Sequence, residues 1–277
     1  ATKYWIIDSV NTASGNADLS VEYAAASGTA DTAMLAVQNA GGKLGSTNVT
    51  QTITTTAAAG DIEAVSLATS GSNRVAIDGG SAVASYTLTG DGTNNITLES
   101  AATTMTLDAS GLSGANTLAI GNLLSTTDTI IGGTGEDTLS ANVSSGTQII
   151  PTISDVETLD LTFTAAGIVN ASKITDVTKA IVTPTANATF TNLASEVADI
   201  QVGKTTAITG GGNISATYAT GSDSAVTVSL GATPTTGTAA VAIGSLTLAG
   251  NAGAATISSV GTATNTVTVV QGTTHDS

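Results

Sequence analysis

Ile153-Ser-Asp-Val-Glu-Thr-Leu-Asp-Leu161 decides how this chain is read, because it recurs. Twenty-one residues later stands Ile174-Thr-Asp-Val-Thr-Lys-Ala-Ile-Val182, and 20 after that Ala194-Ser-Glu-Val-Ala-Asp-Ile-Gln-Val202. A fourth copy, Ala59-Gly-Asp-Ile-Glu-Ala-Val-Ser-Leu67, lies upstream. Each copy sets an acid (Asp61, Asp155, Asp176, Glu196) before an apolar residue, then alternates apolar with polar side chains. Alternation at period 2 marks a strand with one buried face. The acids suit turns, where a short carboxylate satisfies backbone N–H groups; a ligand role is the other reading.

Outward from this repeat, alternating pairs continue at Val65/Leu67, Leu88, Met105/Leu107, Leu159/Leu161, Ile200/Val202, Val226/Val228, Leu246/Leu248 and Val267/Val269. The steps are 21 from Leu67 to Leu88, 19 to Leu107, 20 from Val228 to Leu248 and 21 to Val269. A strand signal recurring near 20 residues predicts an all-β chain, a parallel β-helix or β-solenoid with rungs of about 20 residues. Stacked β-sandwich domains are the alternative, since they too use short strands and polar turns.

The beginning of the chain is different. Tyr4-Trp-Ile-Ile7 is its densest apolar cluster, and Ala30 to Ala40, ending at Gly41-Gly42, reads as a short helix with Thr29 or Asp31 as its cap. Residues 1–58 are therefore expected to form an N-terminal cap or docking region. Residues 59–140 are expected to form a solenoid with degenerate glycine-acid repeats, and 141–277 a second region of β-repeats.

Composition narrows the function. Charged residues are only 10% of 277, yet 21 Asp and Glu against six Lys and Arg give a net charge of −15. With 41% hydrophobic residues and a mean hydropathy of +0.29 the chain is too apolar for intrinsic disorder. Aromatics at 3% leave small and β-branched side chains to fill a thin interior. Lys3, Lys43, Arg74, Lys173, Lys179 and Lys204 are scattered, so no basic stripe forms and nucleic acid is not an expected partner. Ser224 to Thr274 carries no charge, but polar residues interrupt it every few positions, so no transmembrane segment is expected. With no Cys and one His, His275, disulfides, thiol nucleophiles and Cys/His zinc sites are excluded.

One motif carries chemistry. Gly132-Gly-Thr-Gly-Glu-Asp-Thr-Leu-Ser140 matches the calcium nonapeptide G-G-x-G-x-D-x-U-x. In that pattern glycines aim carbonyl oxygens at one point and the acid adds a carboxylate. Nine residues upstream, Asp128 and Ile130 occupy the same two slots. The candidate calcium ligands are thus Gly132, Gly133, Gly135, Asp137 and Asp128; the other reading is a plain glycine turn. Gly111-Leu-Ser-Gly-Ala-Asn-Thr-Leu118 and Gly90-Asp-Gly-Thr-Asn-Asn-Ile96 keep the glycines and put Asn where the acid would stand.

The nonapeptide, the Asp-Val-Glu-Thr-Leu-Asp-Leu repeat and the Cys-free, Thr/Ala/Gly-rich composition together resemble the RTX-type surface-layer proteins of Gram-negative bacteria. The resemblance implies secretion, calcium stabilisation and a self-assembling lattice at the cell surface, with cell-surface polysaccharide as a further partner. The chain departs from that family in having few intact calcium repeats. The expected function is structural and extracellular, and an adhesin stalk displayed singly is the alternative. An enzyme is not expected: Arg74 is the sole arginine, no Asp-Asp pair occurs, and no His is placed to activate a Ser or Thr.

Overall fold

The computed structural model describes residues 3–7, 17–44, 47–204, 206–231, 240–251, 253–261 and 263–272; His275 and part of the uncharged 224–274 segment lie outside them. Among the described residues there are strands and turns and no helix, hence no helix long and apolar enough to cross a membrane. The chain divides into two compact units, Ala1–Ser140 and Ala141–Ser277.

The first unit winds two stacks of parallel strands. One runs Lys3–Ile7, Thr32–Gln38, Ala64–Ser70, Ser85–Gly90, Thr106–Leu112, Thr129–Ile131. The other runs Ala17–Tyr23, Gln51–Ala57, Asn73–Asp78, Asn94–Ser100, Asn116–Gly121. Each strand lies beside the one a full turn away, because a parallel pair needs a crossover and here the other stack supplies it. This is a β-solenoid. Sandwich domains, with their antiparallel pairs, do not describe it.

Register explains the interior. Leu35, Leu67 and Leu88 lie beside one another in successive rungs, as do Val65, Tyr86, Leu107 and Ile130. All are buried. Stacking like on like at the inter-strand spacing of about 4.8 Å makes continuous apolar columns, each residue contributing roughly 1.5–3 kcal/mol by burial.

Three expectations are corrected. The segment Ala30 to Ala40 is not a helix but holds the strand Thr32–Gln38, in register with Ala64–Ser70. Ala33, Leu35 and Val37 are buried there, and pairing along a whole neighbouring strand outweighs the modest helix preference of Ala, Met and Leu. The step of 19 from Leu88 to Leu107 is not a rung: Leu107 pairs with Tyr86, 21 residues back and one pleat before Leu88. The step of 20 from Val228 to Leu248 joins two faces, since Val228 pairs with Ile257 and Leu248 with Ala216 and Val269.

The second unit is wound the same way. One stack is Thr158–Phe163, Lys179–Pro184, Asp199–Val202, Val226–Leu230, Ala255–Ser259. Another is Gln148–Ile149, Gly167–Asn170, Ala188–Leu193, Ile214–Tyr218, Leu246–Ala249, Val267–Val270. The repeat read from sequence is the real register: Leu159 lies beside Ala180 and Ala180 beside Ile200, while Leu161, Val182 and Val202 align one pleat further on. Val156, Val177 and Val197, following the turn acids, are buried. Phe163 and Phe190 meet edge-to-face, centroids 5.5 Å apart.

Candidate functional site

Four equivalent turns meet where the calcium nonapeptide was read. Gly71-Ser-Asn73, Gly92-Thr-Asn94, Gly114-Ala-Asn116 and Gly135-Glu-Asp137 recur at 21, 22 and 21 residues. Glycine is required because successive turns touch. A Cβ on Gly92, at φ 89°, would fall 1.9 Å from the Gly71 carbonyl oxygen, and one on Gly135 would fall 2.1 Å from that of Gly114.

Two residues past each glycine, a polar side chain turns inward and is lost to solvent; Asn73, Asn94, Asn116 and Asp137 are all buried. They form a directed column. Asn73 Nδ2 donates to Asn94 Oδ1 at 2.8 Å, Asn94 Nδ2 to Asn116 Oδ1 at 2.8 Å, and Asn116 Nδ2 to Asp137 Oδ1 at 2.9 Å. At the opposite end Asn73 Oδ1 accepts the Ala40 N–H. An Asn in the last place would bring a further NH₂ needing an acceptor. A carboxylate only accepts, so Asp137 terminates the column, in a charge-assisted bond.

Both oxygens of Asp137 face N–H groups: Oδ1 also accepts from the Asn116 backbone at 2.8 Å, and Oδ2 from Gly133 N–H at 2.6 Å. Asp128 is equally buried and serves another turn, accepting from Met105 N–H at 2.8 Å and Ser125 N–H at 2.6 Å. The two carboxylates share no hydrogen-bond partner among these. Gly132 is buried, and Gly133 and Gly135 pack on the turn below. Calcium binds through six to eight oxygens. The donors around Asp128 and Asp137 have the opposite polarity, and among the described residues no three His, Cys, Asp or Glu gather as metal ligands.

The acids of the 21-residue repeat sit in exposed turns. Asp155 and Asp176 adopt φ 54° and 69°, a left-handed conformation that Asp tolerates. Asp176 accepts from Thr175 Oγ1 and from Asp155 N–H, and these bonds hold its carboxyl below the usual carboxylate range.

The residue that sequence reasoning missed is Asp160, inside the quoted repeat. Flanked by the inward Leu159 and Leu161, it stands at the outward position of its strand, where its neighbours in register are Ile181 and then Gln201. It is nevertheless buried, and it pairs with the Lys204 ammonium. Burial lowers the Lys204 pKa from its ordinary value. The available signal was the position of Lys204, the last cation of the chain, just after a strand whose next rung comes late.

No family model matches the chain, and neither a curated protein nor a solved structure matches it.

Proposed function

We propose that this protein is a structural building block of an extracellular, surface-layer-like array, and that copies join through the face formed by its last described strands. The observation that carries this reading is the state of those strands. Ala255–Ser259 and Val267–Val270 leave Ile257 and Val269 40% and 48% exposed, whereas their register partners in the preceding rung, Val228 and Leu248, are buried; beside them the outward Val270 is 53% exposed. The occupant is a second copy. Ser224 to Thr274 holds no charge, so burying this face against another copy removes no ion from water. Strands with exposed apolar side chains are prone to accept others.

The net charge of −15 opposes approach of identical copies elsewhere. Calcium enters the reading there, as a bridge between carboxylates of neighbouring copies. Static light scattering across a calcium titration tests it, with sodium at matched ionic strength as the control. The expected result is growth in mass with calcium that sodium does not reproduce, since screening alone joins no carboxylates. Val269→Asp with Val270→Asp should abolish it. A protein that stays monomeric with calcium present supports the singly displayed adhesin stalk instead.

A further inference from the structure

The second unit departs from its 21-residue winding just after Val202. Asn187 to Asn213, one rung apart, takes 26 residues. The extra residues leave the stack at Gly203, φ 77°, and run back along the short strand Ile208–Gly211, which pairs with Val241–Ile243. Between this excursion and the end of the strand Lys179–Pro184 lies a cleft of about 450 Å³, within the range of small-molecule pockets. Its polar lining is Thr183, Thr185, Lys204, Thr206 and Thr209, with Ile208 as the main apolar wall.

The cleft holds a fixed ammonium. Asp160, with its side chain 4% exposed, grips Lys204 from beneath, while the Lys204 side chain remains 45% exposed. That contact is the only hydrogen bond Lys204 makes among the described residues, so its remaining N–H groups are open to a ligand. Asp160 Oδ1 is buried and has no hydrogen-bond partner. A buried acceptor left unpaired is destabilising, and any donor that reaches it removes that penalty. Thr185 Oγ1 already donates to the Phe163 carbonyl at 2.6 Å and offers the cleft lone pairs alone. The other threonines can both donate and accept.

The charges select the ligand. Asp160 neutralises Lys204, and the chain as a whole carries a net charge of −15, so the site does not attract a carboxylate or phosphate. Amphoteric hydroxyls, an ammonium with open donors and a wall of Ile208 and threonine methyls suit a ligand with ring C–H groups on one side and hydroxyls on the other. We infer that this cleft binds a neutral sugar unit, with Lys204 donating to its hydroxyls. The inference is independent of self-assembly and is tested on dilute protein without calcium.

The test follows the Gly210 and Gly211 amide resonances during titration with glucose, galactose, mannose and N-acetylglucosamine, with glucuronate and inorganic phosphate as anionic controls. At least one neutral sugar should shift both amides, with a dissociation constant of order 1 mM, as suits a shallow site with few hydrogen bonds. Thr209→Val should weaken binding roughly fivefold, the loss of one hydrogen bond. Lys204→Met alone strands the Asp160 charge, so the ammonium is removed as Lys204→Met with Asp160→Asn, which should abolish binding in a protein that remains folded. Silence of both amides towards all four sugars up to about 50 mM, well above that expected constant, overturns the inference. So does a response to the anions alone, or sugar binding that survives both variants.

Discussion

The rungs from Gly71 to Asp137 and those after Val202 are built on one plan and differ in what the turns do. In the first group the turn glycines touch, and an inward side chain at each rung donates to the next, at separations of 21 or 22 residues. In the second the separations grow to 26, 29 and 32, and the added residues make a strand pair and a cleft. The glycine contact and the amide bond hold each column turn in register, and the one step of 22 residues is taken up away from them, at the register shift between Asp108 and Gly111. Where no column runs, length is free and binding features can be added. Order in the first group and chemistry in the second are two outcomes of one constraint.

The sharpest way to break this contrast is at the column's end. Asp137→Ala strips the acceptor from Asn116 N–H, Asn116 Nδ2 and Gly133 N–H in a buried site. The expected loss is about 3–5 kcal/mol, read from urea unfolding. Asp137→Asn keeps one acceptor for Asn116 but sets an NH₂ against Gly133 N–H, and should cost roughly 1–3 kcal/mol. A smaller loss for alanine than for asparagine would refute the acceptor role. If calcium instead holds this turn, chelation should lower the melting temperature of the wild type and leave Asp137→Ala unchanged.

The same comparison explains what was legible in the sequence. Ile153 to Leu161 and its copies at 174–182 and 194–202 gave true register, because apolar alternation reports directly which residues face a column. The spacing of the glycines was equally plain, and Gly90-Asp-Gly-Thr-Asn with Gly111-Leu-Ser-Gly-Ala-Asn already put Asn94 and Asn116 in the pattern slot that Asp137 fills. What sequence did not convey was the hydrogen bonding of that slot, where Asp137 accepts from the Asn116 and Gly133 N–H groups. The strand Thr32–Gln38 read as a helix because its partner is 32 residues away, beyond any local window. Asp160 was hidden because alternation marks it as outward, and only the excursion past Gly203, which no periodicity encodes, covers it.

A second contrast is tested by alkali, since among the described residues each unit buries one tyrosine. Tyr86 donates to the Ser100 carbonyl at 2.5 Å, and burial first, then the Asp78 charge, pushes its pKa up to about 12. Tyr218 donates to the Val197 carbonyl at 2.7 Å, and burial raises it too. The unfolded phenol titrates near 10, so below that pH both states hold the proton and stability does not vary. Above it the unfolded chain loses the proton first, and the folded state loses stability until the pH passes the folded pKa. For Tyr86 this amounts to roughly 2–3 kcal/mol between pH 10 and 12. Tyr86→Phe should flatten that part of the curve, at a cost of about 1 kcal/mol at neutral pH for the lost hydrogen bond. An unchanged alkaline profile in Tyr86→Phe would place the sensitivity at Tyr218, in the other unit.

The smallest effect belongs to a contact that resembles the column in geometry and lacks its burial. Lys179 and Asp199 are register partners on adjacent rungs, with Nζ and Oδ2 2.9 Å apart, and this is the last regular step before the winding lengthens. By spacing alone it is another cross-rung link like Asn94 to Asn116. Its side chains, however, are 33% and 39% exposed, so water competes for both charges and salt screens them. A double-mutant cycle with Lys179→Ala and Asp199→Ala should give a coupling of at most about 0.5 kcal/mol, falling towards zero in 1 M salt. The cycle Asn94→Ala with Asn116→Ala, in a dry column of neutral amides, should give a larger coupling of roughly 1 kcal/mol that salt leaves unchanged. If the exposed ion pair proved the stronger of the two, register rather than burial would set the strength of cross-rung links. The tolerance of the later rungs for insertion would then need another cause.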